Sequence, residues 1–550
     1  KYYPAQKALL KKLEETDDKH EKNIIKETIK SVFDLIEIQA ETNEKSTQVV
    51  FGTSGWRGVI GDDYTLFNIR RVTKAIIEMY KQNVDELKDY LYINTWDEFK
   101  TRGVLIGHDT RYLGPEFAKG VACVLNTEGI RVVYAGTAIT PELSACMPVF
   151  NFACSINLTP SHNPGDYGGY KFNPADGGAA GIEITSKIEE HAAKIDSVPE
   201  PSSTEPVWEK IDSFAAYTKF VESKGLIDLD FCREFAHSGK IVLAVDTVHG
   251  ATRNKTRDIL NQPTSLKQLR IEEEPFFGGI APEPSEKNME SLAAYLRSQP
   301  GDLKLGAIMD PDGDRIRFHD GESDIAMNQF AVLAFHYLAV HRKREGGAAK
   351  SVPSSNFMNA VTKKLGRPLY ETKVGFKNFR PYLTEGTTQP AVVAFEEADG
   401  FTAFGNTLEK DAQAGFLIAL EMIGRTGKSL TTYLKDLQAE YGTYCPVRSG
   451  FTLSREMMGA PMKNTMKKIL GLFKEGMKLK IGGEDREISQ VITLDGLKLV
   501  FEDLSWFLIR PSGTEPKCRV YTESSTEEDA NALFTAAEAI FHENSEMGAK

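Results

Sequence analysis

The segment Thr159-Pro160-Ser161-His162-Asn163-Pro164 displays one hydroxyl between two prolines. Proline on both sides disfavours helix and holds the serine on a loop. With His162 beside it and Lys171 ten residues on, Ser161 has the makings of a nucleophile with a proton carrier and a cation at hand. The plainer alternative is a proline-bounded turn in which Ser161 caps a helix.

Asp310-Pro311-Asp312-Gly313-Asp314-Arg315 puts three carboxylates at alternate positions. They would repel one another strongly unless a cation sat among them. Hard oxygen ligands favour Mg²⁺, which keeps its other positions for water or phosphate. An EF-hand loop is excluded, because its sixth and twelfth positions would be Arg315 and Gly321. A solvated acidic turn is the alternative, but the loop follows an apolar strand, the place where α/β sheets bind ligands.

Two further loops have chemical content. Phe395-Glu396-Glu397-Ala398-Asp399-Gly400 brings carboxylates to the end of another apolar run, where they could accept hydrogen bonds from sugar hydroxyls. Arg510-Pro511-Ser512-Gly513-Thr514-Glu515-Pro516-Lys517 combines a guanidinium, two hydroxyls and a glycine. That set makes a phosphate nest. A surface acidic turn and a polar hairpin are the respective alternatives. Phe51 to Gly58 (FGTSGWRG) adds a glycine-rich turn carrying Arg57.

The elements that must hold these loops are legible from periodicity. Residues 1–45 carry apolar positions at helical spacing (Leu9, Leu10, Leu13; Ile25, Ile29, Val32, Phe33, Ile36) among many charges, which predicts amphipathic helices. From Phe51 onward, short β-branched runs alternate with helical stretches. The runs 103–109 and 130–136 flank a helix predicted over 114–128, and 240–246, 305–310 and 390–397 continue the pattern. Such alternation predicts βαβ units and parallel or mixed sheets. After about residue 440, runs beginning at Leu497, Ser505 and Lys517 read as antiparallel strands, closed by an Ala-rich helix from Thr526.

A chain of 550 residues exceeds what one core supports. The predicted organisation is a helical extension (1–45), three α/β domains (46–203, 204–324, 325–440) and a C-terminal α+β domain (441–550), with a polar linker near 197–206. A net charge of -12 argues against a general nucleic-acid binder. Six scattered cysteines form no C-x-x-C pair, which reads as reduced, cytosolic thiols. No apolar run approaches the ~20 residues of a membrane helix, so a cytoplasmic protein is expected.

Taken in order, FGTSGWRG, TPSHNP, DPDGDR, FEEADG and RPSGTEPK, with the flanking pieces GHDTRYLG, GGYKFNPADGG, PEP and TKVGFKNF, resemble the α-D-phosphohexomutase superfamily from residue 51 to near the end. The resemblance implies four domains around a central cleft, each contributing one loop. It implies interconversion of hexose 1-phosphate and hexose 6-phosphate through a phosphoserine, with Mg²⁺ as cofactor and a hexose 1,6-bisphosphate as intermediate and activator. Ser161 matches the phosphorylated serine, which also offers a metal ligand beside Asp310, Asp312 and Asp314. Arg57, His162, Lys171 and Arg315 match the phosphoryl-transfer centre. Lys377 matches a substrate-contacting lysine, Glu396 lies in the sugar loop with Asp399, and Arg510, Ser512, Gly513 and Thr514 match the grip on the non-reacting phosphate.

This chain departs from the family pattern in three places. Pro160 stands where the family usually has Ala, a mild change. The sugar loop usually reads Glu-x-Ser, and here Ala398 replaces the serine. Phe401 stands where several branches carry His. Glucose phosphates are the first expectation, mannose phosphates the second and amino-sugar phosphates the third. Two rivals from other classes remain at this point. One is a haloacid-dehalogenase-type phosphatase using the DPDGD loop, whose motif continues with Thr or Val instead of Arg315. The other is a catalytically silent binding paralogue, against which the intact Ser161 and its three aspartates argue.

Overall fold

The computed structural model describes residues 3–16, 18–198, 203–457, 459–511 and 517–545. They group into two compact units. One comprises Lys1–Ile325 with Leu383–Glu385 and Asp399–Ser429; the other comprises Ala326–Tyr382, Gly386–Ala398 and Leu430–Lys550.

In the first unit, Val104–His108 is buried along its whole length and pairs in parallel with Val132–Thr137 and Cys154–Leu158. A strand buried on both faces needs helices on both sides. They are Leu66–Leu91, Gly114–Thr127, Thr140–Phe150 and Ile182–Lys194. The same sheet continues antiparallel through Tyr167–Pro174 and Gly55–Val59. Ser161 therefore sits on the connection between two neighbouring strands. Lys171 lies on the second of them, opposite Asn157, and Arg57 lies one strand further out, opposite Gly169. Arg57 was expected on a turn; it stands instead in a hairpin strand, Gly55–Val59, which pairs with Phe51–Gly52. Gly169 has a steric reason: a Cβ there would meet the Thr159 carbonyl oxygen at 2.4 Å, so only glycine lets the serine loop fold back on the sheet.

A second sheet of this unit runs Asp324–Ile325, Ile316–His319, Lys304–Met309, Val242–Asp246, Leu266–Leu269. Lys304–Met309 is parallel to Val242–Asp246 and antiparallel to Ile316–His319. The carboxylate loop is thus a hairpin connection at the C-terminal end of a buried strand. The N-terminal extension forms two helices, Tyr3–Glu15 and Lys19–Thr42.

In the second unit, Gly347–Ser351 pairs in parallel with Leu369–Thr372 and Ala391–Glu396. An apolar helix, Met327–His336, gives way to a π-helical turn, Tyr337–His341. The C-terminal region is a six-stranded antiparallel sheet covered by helix Glu527–Asn544, whose N-cap Thr526 accepts from the Asp529 amide. Mixed α/β sheets followed by an antiparallel C-terminal domain agree with the predicted α/β class.

Lys498 is buried in this unit. Its ammonium group donates to the Val352 carbonyl at 2.9 Å and lies 4.1 Å from the Trp506 ring. Burial, then the neighbouring Lys350, pushes its pKa down to about 7, against the pull of Glu371 and Glu523. The unfolded chain keeps this proton up to the ordinary lysine range, whereas the folded chain releases it above about 7. Stability should therefore rise with pH between about 7 and 10, by up to about 5 kcal/mol. Lys498→Met should flatten that rise in pH-dependent chemical denaturation, and an unchanged slope would show that the lysine stays charged.

Candidate active site

Ser161 adopts a left-handed backbone, φ 60°. For a residue other than glycine this costs about 1–3 kcal/mol and persists only where surrounding contacts enforce it. Those contacts are specific. The Ser161 amide donates to Thr159 Oγ1 at 2.9 Å, and Thr159 Oγ1 donates to Asp109 Oδ2 at 2.7 Å. Arg111 pairs with Asp109 at 3.0 Å and reaches the carbonyls of Ser161, Asn163, Pro164 and Tyr167. One buried guanidinium thus ties down the loop at four points. No helix follows Ser161, so the capping alternative does not apply.

The Ser161 hydroxyl donates to Asp310 Oδ2 at 2.6 Å and lies 3.5 Å from Asp314 Oδ1. Asp310, Asp312 and Asp314 are fully buried, and one carboxylate oxygen from each falls within 4.8 Å of the others. The Asp314 and Arg315 amides both donate to Asp310 Oδ1 at 3.0 Å, which fixes the turn. The sequence demanded a cation among these carboxylates, and the fold brings two ammonium groups. Lys171 Nζ lies 2.5 Å from Asp312 and 2.7 Å from Asp314, and Lys410 Nζ lies 3.1 Å from Asp314. Thr140 Oγ1 adds a donor to Asp312 Oδ2 at 2.7 Å.

The charges sort the carboxyls. Burial, with Asp312 and Asp314 adding to it, holds Asp310 well above the usual carboxylate range. Burial also opposes ionisation of Asp314, but Lys171, Lys410 and Arg315 outweigh it and hold this group well below that range. Burial, then Arg315 and Arg57, pushes His162 well below the ordinary imidazole value. His162 is therefore neutral at neutral pH, with Nδ1 3.5 Å from Ser161 Oγ. Arg57 is lowered to about 10 by burial, then by Arg315, and still carries its charge; its NH1 donates to Asn163 Oδ1 at 2.8 Å. Two arginines and two lysines packed around the serine loop and its carboxylates suit a site that handles a dianionic group.

The donor set also fits a hard divalent cation. Three carboxylates converge, the serine oxygen lies among them, and Asp312 Oδ1 is buried without a hydrogen bond from any described residue.

Of the residues selected from sequence, Ser161, His162, Lys171, Arg57, Arg315 and the three aspartates come together in the first unit. Asp399 belongs to the same unit, has φ 66°, and accepts from the Ile316 amide at 3.0 Å. Lys377, Glu396 and Arg510 belong to the second unit. There, Glu396 Oε1 accepts from the Gly375 amide at 2.7 Å, two residues from Lys377 in the short helix Phe376–Phe379. Asp495 accepts from both Arg510 Nε (2.9 Å) and the Val374 amide (3.0 Å). Ser512, Gly513 and Thr514 lie outside the described residues. Sequence reasoning assigned no role to Lys410, Arg111, Thr140 or Asp495. Arg111 stands inside GHDTRYLG, one of the pieces that carry the family resemblance.

A serine held against a buried carboxylate triad, on α/β sheets followed by an antiparallel domain, is the layout of a phosphoryl-transfer enzyme. Family models agree with that class. Those for phosphoglucomutase/phosphomannomutase α/β/α domains I, II and III match residues 48–199, 215–323 and 326–441, and the C-terminal domain model matches 461–540. The chain belongs to the phosphoglucomutase/phosphomannomutase family, within the α-D-phosphohexomutase superfamily of mutases. A phosphoglucomutase of Komagataeibacter xylinus is 26% identical over 87% of each chain. A phosphoglucosamine/phosphogalactosamine mutase of Sulfurisphaera tokodaii is 24% identical over 89% of this chain and 98% of its own. The fold is shared with the open form of the Paramecium phosphoprotein pp63/parafusin, a phosphoglucomutase (TM-score 0.69, 21% identity, 91% and 97% coverage). Among the described residues, no helix is long and apolar enough to cross a membrane.

Proposed function

We propose that this enzyme interconverts hexose 1-phosphate and hexose 6-phosphate, with glucose phosphates as preferred substrates, through a phosphoserine at Ser161 and a hexose 1,6-bisphosphate. The observation that carries this reading is Ser161 Oγ at 2.6 Å from Asp310, within a buried cluster that pairs three carboxylates with lysine and arginine. Asp310, Asp312, Asp314 and the serine oxygen would hold Mg²⁺, which when bound supplies positive charge beside the transferring phosphoryl.

The chain's own residues do the remainder. In this reading Arg57, Arg315 and Lys171 neutralise charge on the transferring phosphoryl, and fixed charges in a dry site need no reorganisation as charge develops. Neutral His162 can accept a hydrogen bond beside Ser161 Oγ. In this reading Lys377, Glu396 and Asp399 address the sugar, while Arg510, Ser512, Gly513 and Thr514 bind the non-reacting phosphate. A cytoplasmic sugar-phosphate enzyme without nucleic-acid or membrane partners completes the proposal.

A coupled assay of the purified protein on glucose 1-phosphate, with Mg²⁺ and glucose 1,6-bisphosphate, tests it. No turnover on glucose, mannose or amino-sugar phosphates would leave the silent-paralogue reading in its place. Acid-stable phosphate on serine supports the proposal, whereas a hydroxylamine-labile acyl phosphate would point to an aspartyl nucleophile.

Relatives at about a quarter identity act under names covering glucose, mannose and amino sugars, so the sugar rests on the loop at 396–400. Ala398→Ser restores the family's hydroxyl. It should raise kcat/KM for at least one hexose phosphate by up to ~10-fold, about one neutral hydrogen bond. No response from any sugar would show that this chain holds its substrate by other groups.

A further inference from the structure

The helix Lys19–Thr42 precedes the first matched family domain, which begins at residue 48, yet it touches both supports of the serine loop. On one side, the Phe33 ring centroid lies 4.0 Å from that of Phe276 and 4.8 Å from that of Tyr112. The Tyr112 hydroxyl donates to Glu37 Oε2 of the same helix at 2.9 Å. Phe276 and Phe277 are buried at the tip of a tight turn in which Phe277, Gly278 and Gly279 all have positive φ. Phe276 presses directly on the serine loop, since a Cβ at Gly165 would come within 2.7 Å of Phe276 Cα. Phe277 lies under the Arg111 guanidinium, 4.7 Å from ring centroid to carbon, and Arg111 is the group that holds four carbonyls of that loop.

The C-terminal end of the helix grips the other support. Asn43 Nδ2 donates to the Gly61 carbonyl at 2.9 Å and Gln39 Nε2 to Asp62 Oδ1 at 3.2 Å. That turn follows the Arg57 strand, and its Ile60 amide donates to the Asp166 carbonyl at 2.8 Å. One helix is thus packed at mid-length against Phe276 and Tyr112, the first of which backs the serine loop, and tied at its end to the Arg57 hairpin. A preceding helix backs the arrangement, with Leu10 Cβ 3.0 Å from the Cβ position of Gly279.

We propose that helix Lys19–Thr42 and the Phe276–Phe277 turn form a brace that sets the position of Ser161 relative to Arg57, with Phe33 and Phe276 as positioning residues. The proposal rests on the reading of Ser161 as the phosphoryl carrier. Phosphoryl transfer depends on alignment of the attacking and leaving oxygens, so a small displacement of the loop is costly. Substrate affinity does not run through these aromatic contacts. The brace should therefore act on kcat and leave KM nearly unchanged.

The test compares full-length wild type with Phe33→Ala, Phe33→Leu and Gly165→Ala. Phe33→Ala removes the ring, and Gly165→Ala pushes the serine loop away from Phe276 without touching the helix. Both should lower kcat by about 10-fold with KM within about 2-fold, and both should raise amide exchange across 159–167 while the 104–108 strand stays protected. Phe33→Leu, which refills most of the volume, should recover most of kcat. Normal kcat in Phe33→Ala, or unaltered exchange across 159–167 in both variants, would overturn the brace. So would a loss of kcat that Phe33→Leu does not recover. If Phe33→Ala fails to fold, Phe33→Leu and Gly165→Ala decide the matter by the same two readouts. An inactive wild type, or turnover in Ser161→Ala, would instead overturn the mutase reading, a result distinct from active wild type with an indifferent Phe33.

Discussion

Ser161→Ala should eliminate mutase turnover, lowering kcat by on the order of 10⁴–10⁶-fold, the scale seen when a nucleophile is removed. Intact mass and peptide mapping should find phosphate on the purified wild type and none on the variant. The site explains why no neighbour can substitute. Ser161 is the hydroxyl that donates to Asp310, at 2.6 Å, and Thr159 Oγ1 is already committed to Asp109. Thr140 Oγ1 is likewise committed to Asp312. The substitution also leaves Asp310 without the serine's hydrogen bond, which costs about 1–3 kcal/mol for a buried acceptor. A modest loss of thermal stability should accompany the loss of activity, and added Mg²⁺ should offset it. Phosphate mapped to another residue, with the variant still active, would remove Ser161 from the mechanism and with it the proposed reaction.

How much of this was legible in the sequence depended on whether the controlling force was local. Proline on both sides of Ser161 and the alternate aspartates act within a few residues, so the two loops could be read directly. Strands such as Val104–His108 and Lys304–Met309 were legible because burial of nearly every position writes a mostly apolar run. Arg57 was misplaced on a turn because its strand is short and glycine-rich, and its pairing partner Gly169 is 112 residues away in sequence. The contributions of Lys410 and Arg111 were not readable from local chemistry, since a charged residue is ordinarily solvated. Only the fold shows Lys410 against Asp314 and Arg111 beneath four carbonyls. The helices of 1–45 were predicted from periodicity, but their packing against Tyr112 and Phe276 is a tertiary event with no local signature.

Lys171→Met is the substitution with the largest combined effect expected on stability and catalysis. Lys171 is only 2% exposed and lies between two carboxylates that are fully buried. Removing one partner of a buried ion pair leaves an uncompensated charge and costs about 3–5 kcal/mol. The pH dependence has a definite sign. Asp314 is held below the usual carboxylate range, with Lys171 first among the groups that hold it there. A carboxyl with a depressed folded-state pKa contributes stability above its unfolded value and loses it as pH falls through the folded one. Without Lys171 that folded value moves up, so acid unfolding of Lys171→Met should begin at higher pH than in wild type. The more negative triad should attract Mg²⁺ more strongly, and the rise in melting temperature on adding Mg²⁺ should be larger in the variant. Catalysis should not recover in parallel. On the proposed mechanism the lysine is one of the charges that stabilise the transferring phosphoryl, and removing one such preorganised group should lower kcat by about 10²–10³-fold. Thermal denaturation with and without Mg²⁺, an acid titration and steady-state kinetics separate the two effects. Restored stability with depressed kcat would place Lys171 in the chemistry. Recovery of both would make it only a counterion, and no change in either would show that the buried pairing with Asp312 and Asp314 does not form in solution.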